Sequence, residues 1–378
     1  MPASTRLAAF YFAYFAYAGA FVPYFALFLA ARGFDAPEIA VVMAMPQAAR
    51  VFAPALWGWL ADRSGARKEI VVFSGVVLVA GFVALYGVRD FAGVAVLMLV
   101  VSVLSAGALP IVESMTLAAL EGRTGDYGPI RLWGSIGFIL VVLGVGAWLD
   151  FQPPATVLDW IVALALLAGA VSLALPRQPS AGASRGEAGL ASVLARPEVL
   201  ALLAACFCMT VAHGAMYAFY SLYLEAEGYP KAVIGALWTL GVLAEIVVFV
   251  LLPRLMRRFS LRALLLASFA CAAVRFLAIG WGVGSLAVLA AAQLLHAATF
   301  GAYHAASVAA VHRLFPGALA ARGQALYSSV AFGFGGAVGI LLAGWTWEPL
   351  GPALTFTLSS VFGLAGALLV AWKVRIQA

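Results

Sequence analysis

Apolar runs of about twenty residues, separated by short polar turns, fill almost the whole of this 378-residue chain. A run of this length crosses the hydrocarbon core of a bilayer as a helix, and the runs lack the alternation typical of strands. Only 10% of the residues are charged, whereas soluble domains are about a quarter charged. Because backbone groups in lipid must bond internally, the sequence predicts a helical integral membrane protein.

Twelve apolar spans can be counted, six on either side of a polar stretch rich in Ser, Gly, Ala and Arg. That stretch, residues 177–198, has the composition of a cytoplasmic linker. The predicted fold is therefore all-α, with twelve transmembrane helices in two six-helix bundles, 1–176 and 199–378. The spans are 7–31, 39–61, 69–88, 92–115, 130–149, 157–176, 199–223, 232–253, 263–282, 285–311, 323–345 and 351–372.

Basic residues are distributed very unevenly between the two ends of the spans. Of 22 Lys and Arg residues, three lie on one side (Arg32, Arg89 and Lys231), three lie inside spans, and the rest collect on the other side. Because basic loops stay inside, both termini are expected in the cytoplasm, in a multi-pass protein of a bacterial cytoplasmic (inner) membrane. This distribution explains the net charge of +6, so no nucleic-acid partner is expected. A monomer is expected.

Two kinds of residue inside the spans bear on helix shape. Pro23, Pro46 and Pro110 are predicted to kink the first, second and fourth spans. Glycines are predicted to permit close helix approach or bending, and they are Gly134 and Gly137 in the fifth span and Gly333, Gly335, Gly336 and Gly339 in the eleventh.

Charged side chains inside the spans each cost roughly 2.5–3.5 kcal/mol, so they are expected to line an internal cavity. They are Arg50, Glu113, Arg131, Glu245 and Arg275, accompanied by Gln47, His213, Gln293, His296 and His304. Three Arg against two Glu leave a positive surplus, and guanidinium matches a carboxylate by two parallel hydrogen bonds. An organic acid is therefore the favoured solute, with Arg50, Glu113, Arg131, Arg275 and Gln293 predicted to bind it.

Aromatic side chains could complete such a site, and Tyr14 and Trp133 are its predicted members. Tyr17, Tyr24, Phe138, Tyr217 and Tyr220 are further candidates, and ordinary core packing stays open for all of them. Glu113 with Arg131 could also be a structural ion pair, and His213 an interhelical hydrogen-bonding group. If Glu245 takes up a proton, the cavity becomes more positive and anion affinity rises. Glu245 with His296 or His304 is therefore the predicted proton-coupling set.

The polar loop Gly58-Trp-Leu-Ala-Asp-Arg-Ser-Gly-Ala-Arg-Lys68 resembles the loop between helices 2 and 3 of the major facilitator superfamily. Only Ala66 departs from that pattern, since it stands where a basic residue is usual. The resemblance implies a secondary transporter that works by alternating access. It also implies that this loop, through Gly58, Asp62, Arg63, Gly65 and Arg67, is a conformational latch.

More of the chain is similar to the 3-phenylpropionic acid transporter family, through YFAYFAYAGAFVPYFALFL, AARVF, YGPIRLWGSIGFIL, GYPKAVIGALWTLGVLAEIVVF and QLLHAATFGAYHAASV. A more distant resemblance is to lactose permease and its relatives, in which a Glu and an Arg with the spacing of Glu113 and Arg131 bind sugar. Gln293 and Thr299 stand where those symporters carry Lys and Glu, so their coupling scheme does not transfer intact.

The resemblances and the charges together predict proton-coupled import of a small organic acid, such as a phenylpropionate-like aromatic carboxylate. A sugar or nucleoside symporter and a small-molecule exporter are the alternatives. The sequence contains no metal-ligand cluster, nucleophile motif or soluble catalytic domain. Neither an enzyme activity nor a cofactor or metal is expected, and the proton gradient would supply the energy.

Overall fold

The computed structural model describes residues 2–120, 127–177 and 190–374, and the regular structure within these ranges is helical. The α-helices are α1 Ala3–Ala31, α2 Ala36–Ala49, α3 Ala53–Ser64, α4 Arg67–Ala84, α5 Phe91–Ser105, α6 Ala108–Ala119, α7 Tyr127–Leu149, α8 Val157–Ser172, α9 Leu190–Leu194, α10 Pro197–Ala212, α11 Gly214–Ala226, α12 Lys231–Arg258, α13 Leu261–Trp281, α14 Leu286–Leu294, α15 Tyr303–Leu314, α16 Ala320–Ser328, α17 Gly336–Leu350 and α18 Pro352–Lys373. Two π-helical segments, Ala297–Ala302 and Ser329–Gly335, join α14 to α15 and α16 to α17.

Eleven helical segments within the described ranges are long and apolar enough to cross a bilayer, which confirms the predicted all-α membrane fold. The predicted third span, 69–88, corresponds to α4, which is not among the eleven. That helix has 18 residues and begins with two basic residues and an acidic one. The count of twelve therefore stays a prediction. The predicted linker, 177–198, lies mostly outside the described residues.

Two predicted spans are interrupted four residues before a proline. A proline ring clashes with the carbonyl group of residue i−4 and lacks an N–H group for it. The second span breaks between α2 and α3, where Arg50 lies four residues before Pro54. The fourth breaks between α5 and α6, where Ala106 lies four residues before Pro110.

The other two prolines singled out from the sequence do not interrupt their helices. Helix α1 runs through Pro23, and α2 runs through Pro46. The interruption of the second span lies beyond Pro46, and Pro54 accounts for it.

The chain divides into two compact units, of which unit 1 comprises Met1–Ala183 and Tyr229–Ala236. Its central helix α1 packs mainly against α7 and α8. Glycine makes this approach possible, because a Cβ at Gly19 would lie 2.8 Å from the carbonyl oxygen of Phe138. A Cβ at Gly137 would likewise overlap the carbonyl group of Phe12. Unit 1 thus uses backbone contact where larger residues would hold the helices apart.

The short segment Tyr229–Ala236 of unit 1 contains the first turn of α12. Asp150, the residue that follows α7, caps this turn. The Asp150 carboxylate accepts the backbone N–H groups of Lys231 and Ala232 at 2.6 and 3.2 Å. These are orphan donors at a helix start, where a negative charge is favourable.

Unit 2 comprises Ser184–Gly228 and Leu237–Ala378, and its interior helices are α10, α11 and α13. Helix α18 packs against α13 and α10, while α11 packs against α17. The α11–α17 contact again depends on glycine, because a Cβ at Gly214 would overlap the backbone of Gly339. In the order of the predicted spans, α11 and α17 belong to the first and fifth spans of their bundle, as α1 and α7 do in unit 1.

Candidate functional site

Arg131 of unit 1 lies against aromatic rings of α1. Its guanidinium carbon is 4.1 Å from the ring centre of Phe15 and 5.3 Å from that of Tyr11. Gly134 leaves room for this arrangement, because a Cβ there would lie 2.8 Å from an Arg131 nitrogen. The aromatic faces favour the cation without neutralising its charge, so Arg131 can still bind an anion.

Glu113 and Arg50 face the same region. The Glu113 carboxylate interacts electrostatically with both Arg131 and Arg50, and Tyr14 interacts with all three. No ion pair joins Glu113 to Arg131 among the described residues, and both side chains are half-buried. Arg50 is exposed at the break of the second span and donates to Gln47 Oε1 at 3.0 Å. The geometry therefore does not favour a closed structural ion pair between Glu113 and Arg131.

Other predicted aromatic members of the site lie apart from these charges. Trp133 is 49% exposed and projects about 160° away from Arg131 around α7. Tyr24 is fully buried and donates to the Val142 carbonyl oxygen at 2.7 Å, a structural bond between α1 and α7. In unit 1 the structure therefore brings together Arg50, Glu113, Arg131 and Tyr14.

Arg275 of unit 2 is completely buried, and all five of its N–H groups have neutral acceptors. Nε donates to the carbonyl oxygen of Ala292, and the two Nη atoms donate to the other acceptors. Those are His213 Nε2 at 3.4 Å, Thr299 Oγ1 at 2.9 Å, Gln293 Oε1 at 3.1 Å and Met216 Sδ at 2.8 Å. A guanidinium has five donors, so no N–H group is left over for a solute in this arrangement.

The tautomer of His213 follows from its two contacts. Its Nδ1 lies 2.8 Å from the carbonyl oxygen of Met209, which can only accept. Nδ1 therefore carries the proton, and Nε2 accepts from Arg275. His213 lies between α10 and α11, where the seventh span is interrupted. The interhelical hydrogen-bonding role left open for this residue agrees with the geometry.

Glu245 of α12 lies close to an imidazole of this unit. Its Oε2 lies 3.5 Å from His296 Nε2, and the two side chains are only 18% and 10% exposed. Gln293 Nε2 and His296 Nδ1 are buried without a hydrogen-bond partner. Buried polar groups are normally paired, so these two atoms mark a place suited to a water molecule or a polar solute.

His304 completes a column of rings that includes His296. The Phe300 ring lies between the two imidazoles, 5.3 Å from His296 and 6.2 Å from His304, at interplanar angles of 17° and 13°. His304 Nδ1 lies 3.3 Å from the Tyr327 hydroxyl, and the Glu245 carboxylate acts on this imidazole electrostatically. The intervening π-helical segment changes the angular spacing along this span. Gln293 Oε1 accepts from Arg275, and both Gln293 and the His296 ring lie against Gly241 of α12.

The predicted latch loop is a compact turn between α3 and α4. Gly65 ends α3 with a φ of +70°, which favours glycine. Arg67 is buried and donates to Asp62 at 2.9 Å, while Arg63 lies over the exposed Trp59 ring. Gly58 lies within helix α3 and has open space around it, so it takes no part in the turn.

Comparison with known proteins places this chain in a family. The model of the MFS_1 like family matches residues 4–358. This chain belongs to the MFS_1 like family. It is a multi-pass secondary transporter of the major facilitator superfamily and not an enzyme. The described residues contain no cluster of three or more His, Cys, Asp or Glu side chains that could hold a metal ion.

Relatives of this transporter differ in what their names say they carry. An Escherichia coli (strain K12) protein named "Probable 3-phenylpropionic acid transporter" is 32% identical over 377 residues, 95% of each chain. A maltose permease of Geobacillus stearothermophilus is 28% identical, over 97% of this chain and 94% of the relative. The crystal structure of the nucleoside transporter NupG superimposes with a TM-score of 0.87 at 17% identity, covering 100% of both chains. This last likeness concerns the fold alone.

Three residues that contact the charged side chains of unit 2 are themselves uncharged, so a search of the sequence for charge does not find them. Met216 and Thr299 hold Arg275, and Tyr327 contacts His304. Each is an ordinary residue of an apolar span, and its position depends on packing between helices. The roles predicted for Arg50, Glu113, Arg131, Arg275, Tyr14, Trp133, Gln293, Glu245, His296 and His304 stay predictions.

Proposed function

We propose that this transporter imports a small aromatic carboxylate, of the phenylpropionate kind, together with protons by alternating access. The observation that carries the proposal is Arg131, whose half-buried guanidinium lies against the Phe15 and Tyr11 rings without an ion pair to Glu113 among the described residues. A carboxylate brought by the solute would balance this charge, and Arg can bind it by two parallel hydrogen bonds. The relative named for 3-phenylpropionic acid supports the same class of solute.

The role of Arg275 in this proposal differs from solute binding. Its five N–H groups already have acceptors, so a carboxylate would have to displace several of them. We propose that Arg275 is a fixed positive charge beside the proton site and that Gln293 holds it there by accepting a hydrogen bond from it. Arg275 acts electrostatically on His296, which also contacts Glu245.

Proton coupling is assigned to Glu245, with His296 or His304 as its partner. Protonation of Glu245 removes the negative charge in this cluster while Arg275 keeps its own. The interior then becomes more positive, which favours an anionic solute. The proposal further includes a monomer in a bacterial cytoplasmic membrane with both termini inside, which the bias of Lys and Arg supports.

The test is uptake of labelled 3-phenylpropionate into liposomes under an inward proton gradient, with and without an uncoupler. Because the acid form crosses lipid unaided, Arg131→Gln liposomes measure the leak. We expect uptake above this control, and we expect the uncoupler to abolish it. Uptake equal to the leak would reject the proposed solute.

The proton site is tested separately with Glu245→Gln, which keeps the shape and removes the titratable charge. We expect the variant to exchange external for internal 3-phenylpropionate but not to accumulate it under a gradient. Undiminished accumulation by this variant would reject Glu245 as the coupling residue.

A sugar or nucleoside symporter is the second candidate. Glu113 is half-buried and lacks a close ion pair among the described residues, so its oxygens can accept from solute hydroxyl groups. The maltose permease relative supports this interpretation. Competition of transport by neutral sugars, but not by organic acids, would favour it.

A further inference from the structure

The second and fourth spans of unit 1 are both interrupted, and a side chain from α3 reaches the break in the fourth span. Each interruption precedes a proline by four residues, at Arg50 and at Ala106. The half of the second span after its break, α3, leads directly into the latch loop. The half of the fourth span after its break, α6, carries Glu113. The two broken ends therefore connect to two different functional regions.

The side chain of Trp57 occupies the break in the fourth span. Its indole N–H donates to the carbonyl oxygen of Val103 at 2.8 Å. In an uninterrupted helix this carbonyl would accept the N–H group of Gly107. A Cβ at Gly107 would lie 2.5 Å from Trp57 Cβ, so only glycine admits the indole here. Trp57 thus replaces a hydrogen bond that the break removes.

The same ring also contacts the helices around the break. Trp57 is half-buried against a core cluster that includes Ile111 and Met115 of α6. Its ring centre lies 5.8 Å from that of Phe73 in α4. One side chain of α3 therefore holds the end of α5, the start of α6 and the neighbouring α4.

We propose that Trp57 is a positioning residue that makes α3 and α6 move together, so that solute binding near Glu113 changes the latch loop. An anion bound between Arg50 and Arg131 competes with Glu113 for those guanidinium groups and shifts α6. Trp57 carries this shift to α3 and so to the turn held by Asp62 and Arg67. This inference rests on the proposed function, because it takes a carboxylate as the solute.

Trp57→Phe is the variant for the test, because it keeps an aromatic ring and removes the N–H donor. Trp59→Phe is the matched control, since Trp59 lies on the same helix but is 58% exposed. Each is made in a protein whose only cysteine is introduced as Ser64→Cys, after Cys206, Cys208 and Cys271 are replaced by Ser. Ser64 is exposed in the loop, so its modification by a membrane-impermeant maleimide reports on the latch.

We expect 3-phenylpropionate to change the labelling rate about threefold or more in the parent protein and in Trp59→Phe, within the range of such couplings. Trp57→Phe should bind labelled 3-phenylpropionate with similar affinity but lose the change in labelling. Trp57→Phe with the same ligand-dependent change as the parent would overturn the inference. If 3-phenylpropionate does not change the labelling rate of the parent protein, the proposed solute is wrong. The role of Trp57 is then tested by a measurement that needs no ligand.

That measurement is hydrogen–deuterium exchange of the peptides that cover α3 and α6. Because Trp57 joins the two helices, Trp57→Phe should raise exchange in both of them together, while Trp59→Phe should raise it in neither. Faster exchange confined to α3, or unchanged exchange in both helices, would overturn the inference whatever the solute is.

Discussion

Thr299→Val tests whether Arg275 is held as a fully satisfied buried charge. Thr299 Oγ1 accepts from Arg275 Nη1 at 2.9 Å, and neither side chain is exposed. Valine has nearly the shape of threonine without the hydroxyl, so one guanidinium N–H group loses its acceptor. Interhelical hydrogen bonds in membranes average about 0.6 kcal/mol, with a maximum of about 1.7, whereas bonds to charged groups contribute about 1.5–3 kcal/mol. Because this donor is charged and inaccessible to water, we expect a loss of about 2 kcal/mol.

The assay is equilibrium unfolding in mixed micelles of increasing SDS fraction, followed by tryptophan fluorescence. Thr299→Ser keeps the hydroxyl and should lose clearly less stability than Thr299→Val. A double-mutant cycle with Arg275→Met isolates the bond, because the threonine then has no guanidinium to satisfy. In that background Thr299→Val should cost less than about 0.5 kcal/mol. An equal loss in both backgrounds would refute the reasoning.

Two further predictions concern packing and the latch, both measured in the same unfolding assay. Gly137→Ala should cost about 1–3 kcal/mol, because its Cβ would overlap the carbonyl group of Phe12, whereas Gly144→Ala, in open space, should cost nothing measurable. Asp62→Asn should cost about 1 kcal/mol, because it removes the charge paired with a buried arginine. Glu69→Gln, which breaks an exposed ion pair, should cost less than about 0.5 kcal/mol. Equal effects within either pair would contradict the argument for that site.

The helices could be predicted from the sequence, but the positions of their interruptions could not be predicted fully. Apolar length alone identifies a span, because every backbone group in lipid must bond within its own helix. A proline acts on the carbonyl group four residues earlier, and neighbouring groups decide whether the helix yields. Pro110 interrupts its span, whereas the helix continues through Pro46 and breaks before Pro54. Pro54 itself lies within the first turn of α3, where proline is well tolerated.

The charged members of the candidate site could also be predicted, but their partners could not. Charge inside a span is conspicuous because it is costly there, and so Arg275 and Glu245 stand out in the sequence. The acceptors of Arg275 come from different segments and include a methionine sulfur, which no sequence spacing indicates. Angular arguments at 100° per residue fail across Ala297–Ala302, because that segment is π-helical. The shared face predicted for Gln293, His296 and His304 assumes a regular helix throughout.

Irregular backbone and polar side chains occur together in this transporter for one physical reason. An interrupted helix leaves carbonyl groups unpaired, and within the membrane only the protein or an enclosed water can supply their donors. At Val103 that donor is the indole of Trp57, and at Ala292, just before the π-helical segment, it is the guanidinium of Arg275. Conversely, a buried charged donor needs carbonyl groups that regular helices do not offer. Each feature therefore stabilises the other.

The exception in unit 2 shows how far this argument extends. Glu245 lies within the uninterrupted helix α12, because a carboxylate is an acceptor and gains nothing from freed carbonyl groups. It needs donors or positive charge, and the imidazole of His296, which immediately precedes the irregular segment, lies 3.5 Å from it. A buried cation need not lie at a broken turn itself, since Arg275 is within the regular helix α13, but its Nε reaches a carbonyl group beside one. Arg50, by contrast, lies at the break of the second span, and Arg131 lies within the uninterrupted helix α7 against an aromatic ring.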